Sequence, residues 1–129
     1  MIVKRIIAVM LVVVIALVGC GDGGGGGTAS AASERNINIA TRALEIADEF
    51  LDASVSAGVA HDRIVGLANI NTTRTGDVSE DSANLILGSR VLSLRTSLRA
   101  ASWDDTTENY DEVLEERNAL AEAIGVRRR

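Results

Sequence analysis

The chain has 129 residues, a formal net charge of −5, three aromatic side chains, no proline and one cysteine. A single cysteine excludes an intrachain disulfide. The acidic balance, without a basic stripe, argues against nucleic acid as a partner.

The N-terminus carries Lys4 and Arg5, followed by an unbroken apolar run from Ile6 to Val18. Cations ahead of a short apolar core are the layout of a secretory signal. A spanning helix needs about 20 apolar residues, and this run stops short of that. It closes on Leu17-Val18-Gly19-Cys20. These four residues resemble the lipobox of bacterial lipoproteins. The resemblance covers the signal segment alone and implies three things: diacylglyceryl transfer to the Cys20 thiol, cleavage after Gly19, and a membrane anchor on the new N-terminus. Acylation would also account for an unpaired cysteine in an exported protein. Residues 1–19 are therefore expected to be the signal peptide.

Residues 20–32 follow with Gly21, Asp22 and five consecutive glycines, Gly23 to Gly27. Glycine-rich chain behaves as flexible coil, so this segment is expected to be a tether. It is not a phosphate loop, because no strand precedes it and no Gly-Lys-Ser/Thr follows. By analogy with enterobacterial lipoproteins, where aspartate directly after the lipidated cysteine retains the protein in the inner membrane, Gly21 favours the outer membrane, facing the periplasm.

Residues 33–129 are expected to form one domain. Lys4 and Arg5 leave with the signal, so 11 of 13 basic residues and all 18 acids remain, a net charge of −7, and no lysine survives. With so few aromatics the core must come from Leu, Ile, Val and Ala. This favours an all-α fold, a small antiparallel bundle of three long helices plus a short one.

The first helix is expected from Glu34 to about Ala57, with Ser33 as its N-cap. Ile37, Ala40, Leu44, Ala47 and Leu51 form one stripe, and Ile39, Ala43, Ile46 and Phe50 lie alongside. Such a wide apolar face implies either two neighbours within the chain or a surface for another protein. Val59, Ala60, Ile64, Leu67 and Ala68 suggest a short helix, and residues 71–76 a polar loop. The next helix is expected from Asp77 or Ser79 to about Ala101, because Asp77 and Glu80 have capping-box spacing. Its stripe is Ala83, Leu87, Val91, Leu94, Leu98 and Ala101, flanked by Leu85, Ile86 and Leu92. Gly88 would admit a close neighbouring helix. Ser102-Trp103 reads as a tight connection. The last helix is expected from Asp104 or Asp105, with Asp105 and Glu108 as the box. Tyr110, Val113, Leu114, Leu120, Ala121 and Ile124 form its face, and Arg117 on that face needs solvent or an acidic partner. Gly125 would stop it, leaving Arg127, Arg128 and Arg129 to complement the helix dipole.

No catalytic constellation emerges. His61, the one histidine, sits beside Asp62 in the weakest-patterned segment. Asp104, Asp105, Glu108, Asp111, Glu112, Glu115 and Glu116 are acidic but lack the ligand alternation and central glycine of a calcium loop. No metal, cofactor or catalytic residue is expected. The expected role is non-enzymatic: protein interaction, including self-association, or envelope structure. A phage- or plasmid-encoded exclusion or lysis lipoprotein, akin to an outer spanin subunit, and a small-ligand-binding bundle are the alternatives. Small lipoproteins tied covalently to peptidoglycan use a C-terminal lysine, which this sequence lacks.

Overall fold

The computed structural model describes residues 29–129. The signal segment, Cys20 and the glycine run lie outside the described residues. Within them the chain is all-α, with four helices: α1 Glu34–Leu51, α2 Ala57–Val65, α3 Val78–Trp103 and α4 Thr107–Ala123. Three are long and one is short, as expected.

Side-chain contacts give the topology. Asn36 near the start of α1 bonds Asn84 near the start of α3, so these two helices run in the same direction. Gly58 at the start of α2 lies against Ser102 at the end of α3, and Asn109 at the start of α4 bonds the Ala100 carbonyl late in α3. The order is therefore up-down-up-down. α1 touches all three others, whereas α2 packs only on α1 and α3. Leu87, Leu94, Leu98, Val113 and Leu120 are fully buried, as are Ala40, Ala43, Ala47, Ala60 and Ala121. Alanines facing leucines let helix axes approach closely while the long side chains fill the layer between them.

Each helix starts on a side-chain cap. Ser33 accepts from Asn36 N, Ser56 from Val59 N, Asp77 from Ser79 N and Glu80 N, and Thr106 from Asn109 N. Two expected boundaries are corrected by these caps. The first helix stops at Leu51, not Ala57, because Ser56 caps a separate helix that begins at Ala57. The last helix starts after Thr106 rather than Asp104 or Asp105, since Thr106 supplies the capping oxygen. α3 also continues through Ser102 and Trp103, so residues 104–106 make the connection.

The ends of α1 and α4 are alike. After α4, Val126 N bonds Ala121 O and Gly125 N bonds Glu122 O, with Gly125 at φ 75°. After α1, Ser54 N bonds Glu49 O and Ala53 N bonds Phe50 O, with Ala53 at φ 60°. Both are Schellman closures with a left-handed residue. The first uses glycine and the second does not.

α2 has 9 residues against 26 in α3, roughly 14 Å against 39 Å of helix. The extended segment 66–77 covers the remaining length of α3. Ile70 and Thr72 lie over Gly88, with Thr72 Cγ2 3.4 Å from where a Cβ would stand. A loop, not the expected helix, therefore makes the close approach at Gly88. Ala29 and Ala32, assigned above to the tether, are buried, and Ala29 N bonds the Ala123 carbonyl at the end of α4.

Candidate functional site

Two buried polar clusters fix chain segments that are not helical. In the first, Asn36 is fully buried. Its Oδ1 accepts from Asn71 N at 2.9 Å, and its Nδ2 donates to Asn71 O and to Asn84 Oδ1, both at 2.8 Å. Asn84 Oδ1 also accepts from Ser33 N. The side-chain amide of Asn36 thus pairs with a backbone peptide much as a neighbouring strand would. It satisfies buried groups that would otherwise cost free energy.

The second cluster repeats this device. Asn118 Oδ1 accepts from Arg129 N at 2.9 Å, and Asn118 Nδ2 donates to Arg129 O at 3.4 Å. Arg117, 5 % exposed, donates from Nε and Nη2 to the two carboxylate oxygens of Asp48, and from Nη1 to Asn118 Oδ1 and the Arg127 carbonyl. Arg129 caps the cluster by pairing with Asp48 and Asp52. Its guanidinium holds the Asp52 carboxyl below the usual range. The expected acidic partner of Arg117 is therefore Asp48. The arginine tail does not simply complement the α4 dipole. It folds back across the bundle onto α1, while Arg128 pairs with Glu122.

The residues considered for chemistry are not brought together. His61 Nδ1 lies 3.2 Å from Asp62 Oδ1 on the surface of α2, with no further hydrogen bond to either side chain among the described residues. The acids along α4 are exposed apart from Glu116. No group of three or more His, Cys, Asp or Glu among the described residues is placed to hold a metal ion. Glu116 is an outlier. One of its carboxyl oxygens is buried without a hydrogen bond, and desolvation pushes its pKa up despite the attraction of Arg90.

Surface depressions are open. A groove of about 260 Å³ between α1, α3 and the loop is lined by Ile39, Leu67, Ile70, Val91 and Leu92. Another of about 660 Å³ sits where α1 and α3 end and α2 and α4 begin, lined by Phe50, Val55, Gly58, Ala101 and Tyr110. The Tyr110 hydroxyl bonds the Leu51 carbonyl there.

The apolar width of α1 is absorbed inside the chain. Ala40, Leu44, Ala47 and Leu51 from one stripe and Ala43, Ile46 and Phe50 from the other are all buried. The unpartnered apolar face belongs to α3. Val78, Leu85, Leu92 and Trp103 are 80, 59, 51 and 76 % exposed. Leu85 and Leu92 were legible as flanking residues, but their helical direction alone does not say which flank the neighbouring helices leave open. Arg99 lies over the Trp103 ring at 4.6 Å.

No helix among the described residues is long and apolar enough to cross a membrane. No family model matches the chain, and no curated protein or solved structure matches it.

Proposed function

We propose that this chain is an exported lipoprotein, held on a membrane through a lipid on Cys20, whose helical domain is a non-enzymatic interaction or envelope-structural module. The observation that carries the reading is the run Leu17-Val18-Gly19-Cys20 directly after a basic and then apolar N-terminus. Two features of the domain support it. Its titratable groups are dispersed or locked in structural pairs, and four of its large exposed apolar side chains line one face of α3. Signal processing would put the domain outside the cytoplasm. The outer membrane is the favoured destination, since Gly21 follows the cysteine.

Mass spectrometry of the mature N-terminus tests this reading. The expected species begins at Cys20 and carries a diacylglyceryl group, and Cys20→Ser abolishes both acylation and membrane fractionation. A soluble wild-type product with an unmodified Cys20 would overturn it.

A further inference from the structure

The outer face of α3 is ordered along its whole length. At 100° per residue, Val78, Leu85, Leu92 and Trp103 fall within about 40° of arc on the helix surface. Between its large residues the stripe carries Thr96 after Leu92, with Ser89 on one edge and Asp81 and Arg99 on the other. The charges on α3 are segregated. Asp77, Glu80 and Asp81 stand at the start, and Arg90, Arg95 and Arg99 occupy the second half. The helix dipole accounts for acids in the first turn. It does not account for the arginines, because no basic residue lies in the last turn. Arg95 and Arg99 make no ion pair among the described residues. Asp77, Asp81, Arg95 and Arg99 also share one flank of the stripe, by the same angular count.

We propose that this face is a self-association seam, on which a second copy of the chain packs antiparallel through its own α3. An antiparallel two-fold about the middle of α3 sets Leu85 against the partner's Thr96 and Leu92 against the partner's Ser89. Large side chains then meet small ones on both copies, as knobs and holes require. Val78 comes under the partner's Trp103. In an antiparallel face-to-face pair, equivalent flanks adjoin, so Asp81 comes beside the partner's Arg99. The acidic end of each helix meets the basic end of the other. A parallel pair would instead set leucine against leucine along the stripe, and would bring unlike flanks together, so that Asp81 would not meet the partner's Arg99.

Four large side chains along about 39 Å of one helix supply roughly half the ~800 Å² per partner of a standard interface. The pair is therefore weak in dilute solution, and confinement on a surface raises its population. In this respect the seam rests on the membrane-anchored reading. A two-fold axis along the membrane normal keeps both anchors on one membrane.

The test uses the full chain in its own membrane. Leu85→Cys and Thr96→Cys are combined, and the membranes are oxidised. The two sites are about 16 Å apart along one helix, too far for an internal disulfide. The expected product is a reducible dimer from the double variant and none from either single variant, because like positions are equally far apart across an antiparallel pair. Arg95→Glu with Arg99→Glu in the same background should lower the dimer about tenfold. Wild type, whose one thiol is Cys20, sets the background. A disulfide dimer there counts against acylation and not against the seam, which is read as the excess over wild type. No excess from the double variant overturns the seam, and a dimer from Leu85→Cys alone overturns its antiparallel direction. Trp103, the one tryptophan, gives a readout without engineered cysteines. Its emission should shift to the blue as the protein-to-lipid ratio rises, and emission unchanged by crowding overturns the pairing.

Discussion

At Ala53 the backbone takes φ 60° so that α1 can close its last carbonyls. A left-handed conformation costs an L-residue roughly 1–2 kcal/mol, which glycine avoids. Part of that gain is offset by glycine's larger unfolded-state entropy. Ala53→Gly is therefore expected to stabilise the protein by about 0.5–1 kcal/mol. A urea midpoint at or below that of wild type would contradict it. Glu116 presents the opposite situation, a side chain whose surroundings disfavour its charge. Burial raises its pKa above the ordinary 4.5, and Glu115 and Glu112 add to this against the pull of Arg90. The folded protein thus holds this proton more tightly than the unfolded chain does. The group supports folding at low pH, and that support is lost as pH rises through the raised folded value. Glu116→Gln should gain stability relative to wild type between pH 4 and pH 7, by under about 1 kcal/mol given partial exposure. Paired denaturation curves at the two pH values check it; an identical difference at both would refute the assignment.

Among the elements, the helices follow from local chemistry and the loop does not. Ser33 and Asp77 cap as their residue types predict, and Gly125 stops α4 by adopting φ 75°. The 66–77 segment has no periodic pattern of its own. It is held by Asn36, which the sequence places beside the apolar stripe of α1 and which reads there as a polar interruption. Its three hydrogen bonds join α1, α3 and the loop. Asp81 adds a second tie at the loop's end. Thr75 donates to its carboxylate from both the backbone N–H and the hydroxyl, and the backbone bond is the main reason the Asp81 pKa is lowered. Asn36→Ala should cost about 2–3 kcal/mol, since it strands buried partners. Amide exchange at Asn71 should accelerate more than exchange at Leu94 in the core of α3. Uniform acceleration would mean that Asn36 supports the bundle in general and not the loop.

For the whole molecule, the returning tail matters most. Arg117 could have been an exposed lysine-like cover on α4. It is instead buried against Asp48, with the backbone of residues 127–129 completing its shell. Deleting residues 127–129 should therefore lower stability by about 2–3 kcal/mol, measured by urea denaturation. A tail that only complemented the helix dipole would be worth under about 1 kcal/mol, so a loss that small would argue against the clasp. The sequence by itself determined that the described domain is helical, where α1 and α3 begin, and that Leu, Ile, Val and Ala build its core. These depend on spacing and caps, which act over one or two turns. Only the tertiary structure decided that the wide face of α1 is consumed internally and that a loop is seated on Gly88. It also decided that Asp48 partners Arg117 across 69 residues of chain. Each of these is a question of which neighbour occupies a given face. Periodicity cannot answer it, because an apolar stripe has the same spacing whether another helix covers it, as on α1, or leaves it open, as on α3.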